Sequence, residues 1–279
     1  MSASLASAYA HCEAILRAGA RDHWLAALFA PAAARPHLHA LWLFDHELGS
    51  LRDKIRQPIA GEIRLQYWRD IIAGQHHGDT QGNPLALALL DTISTCQLPR
   101  APFLTLIDAR LFDLYDDPMP DLAALEGYGG ETTAAVIRLA CLILAGGTDP
   151  GGAVAAGHAG MALAITGILA DLPRTSARGQ VFVPADILAA QGIAPADIVA
   201  RRDSAGLHAA LAQLRGIGRD HARKAQADMG LNRALIAPAF LGLPVAELYL
   251  RQMEKPGYNP FTRVVEVPQW RRQWAMWRS

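Results

Sequence analysis

Five histidines occur in pairs or close together, an arrangement that suggests a metal site. His37 and His39 are two residues apart, and His46 follows seven residues later. Zinc sites use imidazole ligands, but side chains two residues apart on a helix point to different sides of it. The spacing therefore argues against a zinc site. His76 and His77 precede a glycine in a polar segment and are predicted to face solvent in a turn.

Other reactive side chains lack the neighbours that catalysis or metal binding needs. Asp113, Asp116 and Asp117 form an acidic group just before a proline, and a loop at the end of a helix explains them better than an ion site does. Ser176 has no histidine and carboxylate that the sequence pairs with it. Nucleophilic catalysis by this serine therefore has no support from the sequence.

The composition is that of a globular chain with a sizeable core. Of 279 residues, 51% are hydrophobic and 19% are charged, and a chain of this length buries about three quarters of its unfolded surface. Lys and Arg number 26, as do Asp and Glu, so nucleic-acid binding through a global positive field is not expected. Cys12, Cys96 and Cys141 are widely spaced and predicted to be reduced core thiols. This usage indicates a reducing compartment, and no signal peptide pattern is visible.

Apolar residues recur at spacings of three and four along almost the whole chain, which predicts an all-α protein. Strand patterns are nearly absent. Helices are predicted over residues 35–53, 58–73, 84–96, 101–114, 121–145, 152–171, 204–229, 233–253 and 267–277. No linker is long enough to separate domains, so residues 1–279 are predicted to form a single domain.

The helix predicted over residues 152–171 includes the strongest candidate for a membrane span. His158 lies within this segment and Asp171 follows it, so a buried helix is favoured. Four of the five positions along one of its stripes are small, which predicts close packing against another backbone. These positions are Gly152, Ala156, Gly160, Ala164 and Ile168.

Several segments occur in the order and spacing of one protein family. They are residues 28–36 (LFAPAAARP), 40–44 (ALWLF), 64–69 (RLQYWR), 160–171 (GMALAITGILAD), 178–184 (RGQVFVP) and 259–261 (NPF), together with Tyr128. In this order they resemble squalene/phytoene synthases over nearly the whole chain. The resemblance implies an all-α prenyl synthase fold with helices around a central cavity.

Family members that condense prenyl diphosphates carry two Asp-x-x-x-Asp motifs facing one cavity. Carboxylates at positions i and i+4 project from one face of a helix. Two such helices supply hard oxygen ligands through which Mg²⁺ bridges to the diphosphate. The departing negative charge must be neutralised before an allylic cation can form, so each carboxylate matters.

The first motif keeps one carboxylate in this chain. The resemblance places the family's first Asp at Gly49 and its second at Asp53. Asp45 does not restore the pair, because eight residues span about 12 Å along a helix. Glu47 is rotated off the helix face that Asp53 occupies.

The second motif also keeps one carboxylate. Asp171 matches the family's first Asp, but Thr175 stands four residues later, and Pro173 between them is predicted to break the helical register. Four further positions that are polar beside the diphosphate in the family also differ. They are Ala164, Gly167, Ala170 and Gln180.

These losses resemble one branch of the family, the mitochondrial complex I assembly factor of the squalene/phytoene synthase type and its bacterial relatives. The shared segments are residues 44–53, 181–187 and the aromatic and basic tail at 274–278. The branch implies an assembly role for respiratory NADH dehydrogenase, or isoprenoid or lipid binding, without prenyl condensation. Two alternatives stay open: an active prenyltransferase of the phytoene or squalene synthase type, and a lyase-like or hydrolytic enzyme that uses an isoprenoid.

The resemblance assigns candidate site residues in three groups. Asp53 and Asp171 are the remnants of the metal and diphosphate motifs. The candidate phosphate-binding residues are Arg35, Arg64, Arg69 and Arg178, and surface or ion-pairing roles are equally open for each. The candidate cavity residues are Phe44, Leu48, Tyr67, Tyr128, Ala164 and Gly167. No catalytic residue is assigned.

The resemblance also sets expectations for ligands and location. No cofactor is expected, except Mg²⁺ if residual prenyl diphosphate binding exists. The expected partners are an isoprenoid or lipid ligand, a subunit of a respiratory complex and a peripheral membrane surface, and no nucleic acid. The expected location is cytoplasmic, with contact at the inner face of the membrane.

Residues 267–278 are predicted to form a short C-terminal helix rich in Trp and Arg. Trp270, Trp274 and Trp277 are four and three residues apart, so a helix places them on one face. Two interpretations stay open for this face. It docks on the domain, or it lies at an anionic bilayer surface, where Trp and Arg are both favoured.

Overall fold

The computed structural model describes residues 3–75, 82–262 and 264–279, and these residues form helices and no strands. The all-α prediction is therefore confirmed. The predicted polar turn with His76 and His77 lies outside the described residues.

The described helices follow one another with short connections. They are α1 (Ala3–Gly19), α2 (Arg21–Ala27), α3 (Arg35–Gly49), α4 (Leu51–Lys54), α5 (Pro58–Ala73), α6 (Pro84–Thr95), α7 (Ala101–Ala109), α8 (Leu122–Gly129), α9 (Ala135–Leu144), α10 (Ala153–Ala177), α11 (Ala185–Ala189), α12 (Pro195–Val199), α13 (Ala205–Ala227), α14 (Arg233–Ile236), α15 (Gly242–Gln252) and α16 (Gln269–Trp277). A π-helical segment spans Gly130–Ala134, and 3₁₀ turns span Phe112–Leu114 and Ala237–Phe240.

The chain divides into two compact units. The first comprises Met1–Leu114, Ala135–Ala153 and Met229–Phe240, and the second comprises Tyr115–Ala134, Val154–Asp228 and Leu241–Ser279. The single domain over residues 1–279 and the central cavity stay predictions.

The core of the first unit forms where α1, α3 and α6 pack against one another. Leu16, Leu38, Phe44 and Leu89 on these helices are fully buried. Burial of apolar side chains contributes about 25 cal/mol for each Å² removed from water, which makes such contacts the main source of stability. The apolar periodicity of these segments therefore translates directly into their packing.

A polar network crosses this core. The Tyr9 hydroxyl donates to Oδ2 of Asp91 at 2.6 Å and lies 3.0 Å from both Nδ1 of His37 and Oγ1 of Thr92. Burial raises the pKa of Tyr9, and the hydrogen bond to Asp91 adds to this rise. The network joins α1, α3 and α6 and gives His37 a structural partner.

Local signals explain where several helices begin and end. Pro58 begins α5, because proline has no backbone N–H and its φ suits the first turn. Gly74 follows the end of α5 with φ of 81°, a left-handed conformation that glycine adopts without strain. The Asn83 side chain accepts a hydrogen bond from the N–H of Ala86 and caps α6.

In the second unit, the predicted close packing of α10 is confirmed. A Cβ added at Gly160 would lie 2.4 Å from the Cβ of Ala134, so only glycine permits this approach. Ala156 and Ala164 on the same stripe are buried. The helix is long and apolar enough to cross a membrane, but 61% of its most apolar window is buried within the protein. This burial agrees with the prediction of a buried helix.

The predicted break at Pro173 is wrong, because α10 continues through this residue to Ala177. A proline inside a helix costs about 3 kcal/mol. Leu172, Pro173, Thr175 and Ser176 are all buried, and packing of this last turn offsets the cost. Tertiary contacts here override a local propensity.

Three other predicted helices are also interrupted. The segment 35–53 divides at Ser50 into α3 and α4, and the segment 101–114 ends as a helix at Ala109. The segment 121–145 contains the π-helical residues between α8 and α9, and the segment 233–253 contains a 3₁₀ turn. The periodicity located the apolar faces in these segments but not the turns within them.

The three cysteines are free and buried, as predicted for core thiols. Burial raises the pKa of Cys12 and of Cys141 to about 12. Both thiols are therefore protonated and poorly nucleophilic at neutral pH.

Candidate functional site

The first motif position is divided between two helices. Gly49 is the last residue of α3, and Ser50 leaves helical geometry with φ of −91° and ψ of 2°. Asp53 lies on the next helix, α4, where it is exposed and its N–H donates to the Ser50 carbonyl at 3.2 Å. The helical register that would align positions 49 and 53 is therefore not continuous.

A buried arginine occupies the space beside Gly49. A Cβ at Gly49 would lie 3.6 Å from Nη2 of Arg110. Arg110 donates to Oδ1 of Asp45 at 2.9 Å and to Oδ2 of Asp113 at 3.1 Å. The Arg110 side chain is only 13% exposed, so a positive charge is fixed where the family motif would require a cation-binding surface. Asp45 and Asp113 compensate this charge.

The sequence did not reveal this charge cluster. Asp113 was predicted to lie in a loop, but it is buried in the 3₁₀ turn that follows α7. The i, i+3 spacing of Arg110 and Asp113 is a local signal that could have indicated their pair. Asp45 is 65 residues from Arg110 in the chain, and no local pattern connects them.

At the second motif, α10 keeps Asp171 and Thr175 one turn apart. Oδ2 of Asp171 accepts a hydrogen bond from Nη2 of Arg174 at 2.6 Å, and both side chains are about half exposed. The Thr175 side chain is buried, and its hydroxyl donates to the carbonyl of Asp171 at 3.2 Å. The position assigned to the second carboxylate thus holds a neutral group bonded to backbone.

Arg178, the candidate phosphate ligand after α10, is held within the protein. It donates through Nε and Nη2 to Oε1 of Gln180, at 2.9 and 2.5 Å. Gln180 is buried and donates through Nε2 to the carbonyl of Tyr115 at 3.1 Å. Gln180 occupies the position assigned to a family arginine, and here it ties the segment after α10 to Tyr115.

The other candidate phosphate ligands lie in the first unit. Arg35 donates to the carbonyls of Ala30 and Leu28 at 3.0 and 3.1 Å, so it closes the loop before α3. Arg69 forms an ion pair with Asp108, which joins α5 to α7. Arg64 is exposed on α5. Arg35 and Arg69 therefore have structural partners, and phosphate binding by the four arginines stays a prediction.

The candidate cavity residues of the first unit belong to an aromatic cluster. Phe44 is buried, with ring centroids 5.1 Å from Trp68 and 5.9 Å from Phe103. Leu48 is also buried. Tyr67 is half-buried, and its hydroxyl accepts from Nδ2 of Asn83 at 3.0 Å. This cluster gives the unit an apolar surface around α3 and α5.

The candidate cavity residues of the second unit lie on α8 and α10. Tyr128 is half-buried, with its ring centroid 6.0 Å from that of Phe182. Ala164 is buried, whereas Gly167 is exposed and a Cβ there would contact nothing within 4 Å. The loss of polar side chains at positions 164 and 167 therefore leaves small apolar surface.

The donor set does not fit the Mg²⁺ cluster of a prenyl-condensing enzyme. Among the residues that the structure describes, no group of three or more His, Cys, Asp or Glu side chains is arranged to hold a metal ion. Arg174 neutralises Asp171, and Arg110 fixes a positive charge beside Gly49. Mg²⁺ needs several oxygen ligands together with substrate phosphate, so we derive no chemical step through this ion.

The helices of the described residues and the positions of the two reduced motifs define an all-α protein of the isoprenoid synthase class. The Squalene/phytoene synthase family model matches residues 16–278. The chain belongs to this family, and the resemblance inferred from its sequence is confirmed.

Similar proteins of known name fall into two groups. NADH dehydrogenase (ubiquinone) complex I, assembly factor 6 of Rattus norvegicus is 26% identical over 251 residues, which cover 90% of this chain and 75% of that protein. Presqualene diphosphate synthase of Rhodopseudomonas palustris is 30% identical over 218 residues, which cover 76% of each chain. The family thus contains similar proteins with an assembly role and with a synthase name.

Solved structures show the same fold. Squalene synthase HpnC from Alicyclobacillus acidocaldarius superposes with a TM-score of 0.77 at 26% identity, over 94% of this chain and 98% of that one. A dehydrosqualene synthase in complex with ligand superposes with a TM-score of 0.79 at 19% identity, over 98% of this chain and 95% of that one.

Proposed function

We propose that this protein does not condense prenyl diphosphates and acts instead as an assembly factor for respiratory complex I or as an isoprenoid- or lipid-binding protein. The observation that carries the proposal is the absence of a second carboxylate at either motif. Gly49 and Thr175 occupy the two positions, and Thr175 is buried with its hydroxyl on backbone. Paired carboxylates are what diphosphate departure requires.

The similar proteins support the same choice. The match to complex I assembly factor 6 covers 90% of this chain, whereas the match to presqualene diphosphate synthase covers 76%. An apolar binding surface survives substitution of its polar rim, because cores depend on the helices that line them more than on rim residues. The buried aromatic cluster around Phe44 and the small residues of α10 are compatible with a long apolar ligand.

A second candidate function is prenyl transfer of the phytoene or squalene synthase type. It is favoured by the 30% identity to presqualene diphosphate synthase over 76% of each chain. It is opposed by the charges that Arg110 and Arg174 place at the two motifs. The two functions predict different defects when the protein is removed.

Deletion of the gene in its own organism separates the two functions. If the protein assembles complex I, native gels and NADH oxidation by membranes will show loss of the assembled complex, and squalene and carotenoid content will be unchanged. Restoration by the parent chain and by an Asp53→Asn, Asp171→Asn variant is expected, because the proposed role does not use these carboxylates as metal ligands. Loss of isoprenoid product with intact complex I would contradict the proposal and favour the synthase.

A further inference from the structure

The C-terminal helix α16 turns its tryptophans away from the unit to which it is attached. Trp270, Trp274 and Trp277 are 65%, 53% and 67% exposed, whereas Met276 is 2% exposed. The helix packs against α15. At about 100° for each residue, the three tryptophans lie within an arc of about 60°, and Met276 lies about 120° from its centre. Met276 therefore anchors the helix and leaves the tryptophan face outward.

This geometry decides between the two interpretations of the tail. A helix is present at Gln269–Trp277, within the predicted segment. The interpretation in which its tryptophan face docks on the domain is wrong, because the docked side chain is Met276. Large apolar side chains left exposed as one patch are typical of an interaction surface.

The charge around the patch has one sign. Residues 267–279 contain Arg271, Arg272 and Arg278 and no Asp or Glu, in a chain whose net charge is zero. The Arg271 guanidinium lies 5.6 Å from the ring centroid of Trp270, and that of Arg278 lies 5.8 Å from the centroid of Trp274. Cations therefore border the aromatic face directly.

We propose that α16 attaches the protein to the surface of an anionic lipid bilayer. The tryptophan rings would enter the headgroup region, where aromatic side chains are favoured, and the bordering arginines would contact lipid phosphates. A short helix with one aromatic face and only positive charge is the pattern of an in-plane interfacial anchor. The proposal is independent of the proposed function, because an active synthase with this helix would attach in the same way.

Vesicle binding by the full chain tests the proposal. Vesicles of phosphatidylcholine alone are compared with vesicles containing phosphatidylglycerol, by co-sedimentation and by tryptophan fluorescence. The chain has six tryptophans, and Trp42 and Trp68 are 3% and 2% exposed, so a blue shift on binding reports mainly the α16 face. Binding to the anionic vesicles that weakens as salt rises is the expected result.

Three variants identify the groups responsible. A Trp270→Gln, Trp274→Gln, Trp277→Gln variant keeps Met276 and is expected to lose binding. An Arg271→Gln, Arg278→Gln variant is expected to bind at least 10-fold more weakly, because each surface arginine contributes about 5-fold. The matched control, Arg202→Gln with Arg223→Gln, removes two arginines whose side chains are 73% and 75% exposed on other elements, and it is expected to bind within about 2-fold of the parent after allowance for the general charge effect.

Thermal melts by circular dichroism verify that each variant is folded. Absence of binding to both vesicles overturns the proposal and directs the tryptophan face to a protein partner instead. Equal binding by the parent and the tryptophan variant also overturns it, as does an equal loss in the matched arginine control.

Discussion

Thr175 is the residue at which the reduced second motif meets the core of the protein. Its side chain is 4% exposed and its hydroxyl donates to the carbonyl of Asp171. The earlier expectation that Pro173 would misdirect a carboxylate here is replaced by a different reason, because α10 is continuous. A carboxylate at this position would be buried one turn from Asp171.

We therefore expect Thr175→Asp to lower the free energy of unfolding by about 2 to 3 kcal/mol, because burial penalises an ionised carboxylate. Thr175→Val is the control, since it removes the hydroxyl and keeps the shape, and it should cost about 1 kcal/mol. Urea denaturation monitored by circular dichroism measures both values. Equal stability of the parent and Thr175→Asp would contradict the burial described for this position.

His158 and His221 form a pair whose state depends on pH. Their Nδ1 atoms are 3.0 Å apart, so one ring donates and the other accepts. Burial lowers the pKa of His221 below its ordinary value of 6.5, and neighbouring His158 adds to this, while Glu126 and Asp220 oppose it and Lys224 reinforces it. The folded chain thus binds fewer protons here than the unfolded chain, so stability is full above about pH 6.5 and falls as pH decreases.

The free energy of unfolding is expected to be smaller at pH 5.5 than at pH 7.5. His221→Asn should show a shallower dependence, because it removes one titrating group. Some dependence will persist, since burial also lowers the pKa of His37, His39 and His46. Denaturation curves at the two pH values measure this difference. The interpretation would be wrong if the parent and variant had identical slopes.

At the scale of elements, the contact between α10 and the π-helical segment is the tightest point of the second unit. A Cβ at Gly160 would lie 2.4 Å from the Cβ of Ala134 and 2.5 Å from its Cα and N. Backbone atoms cannot move aside as a side-chain tip can, so Gly160→Ala is expected to destabilise the protein by about 2 kcal/mol.

Gly167 provides a matched control on the same helix. A Cβ there would contact nothing within 4 Å, so Gly167→Ala should stabilise the protein by up to about 1 kcal/mol through helix propensity. Thermal melts of the two variants measure both effects. Similar shifts in both melting temperatures would contradict the packing described for Gly160.

The sequence could predict the helices because each carries its own apolar period. It could also predict the close packing at Gly160, since small residues at helical spacing are a local pattern. It did not predict the end of α3 at Ser50 or the continuation of α10 through Pro173, because tertiary packing decides both. The Arg110 contact with Asp45 joins residues 65 positions apart, and single-sequence periodicity contains no record of such contacts.

At the scale of the whole molecule, the fold and the chemistry point in different directions. The fold is shared with squalene and dehydrosqualene synthases. The charges at the two motif positions are not those that hold Mg²⁺ and diphosphate, because Arg174 pairs with Asp171 and Arg110 lies beside Gly49. A shared fold therefore does not by itself transfer the activity.

The most direct test of this account is turnover of prenyl diphosphates by the purified chain. The protein is incubated with farnesyl or geranylgeranyl diphosphate and Mg²⁺, with and without NADPH, and extracted products are measured by mass spectrometry against a control without enzyme. We predict no condensed product above that control. Condensed product that disappears in Asp53→Asn or Asp171→Asn would contradict the account and show that a single carboxylate at each motif suffices.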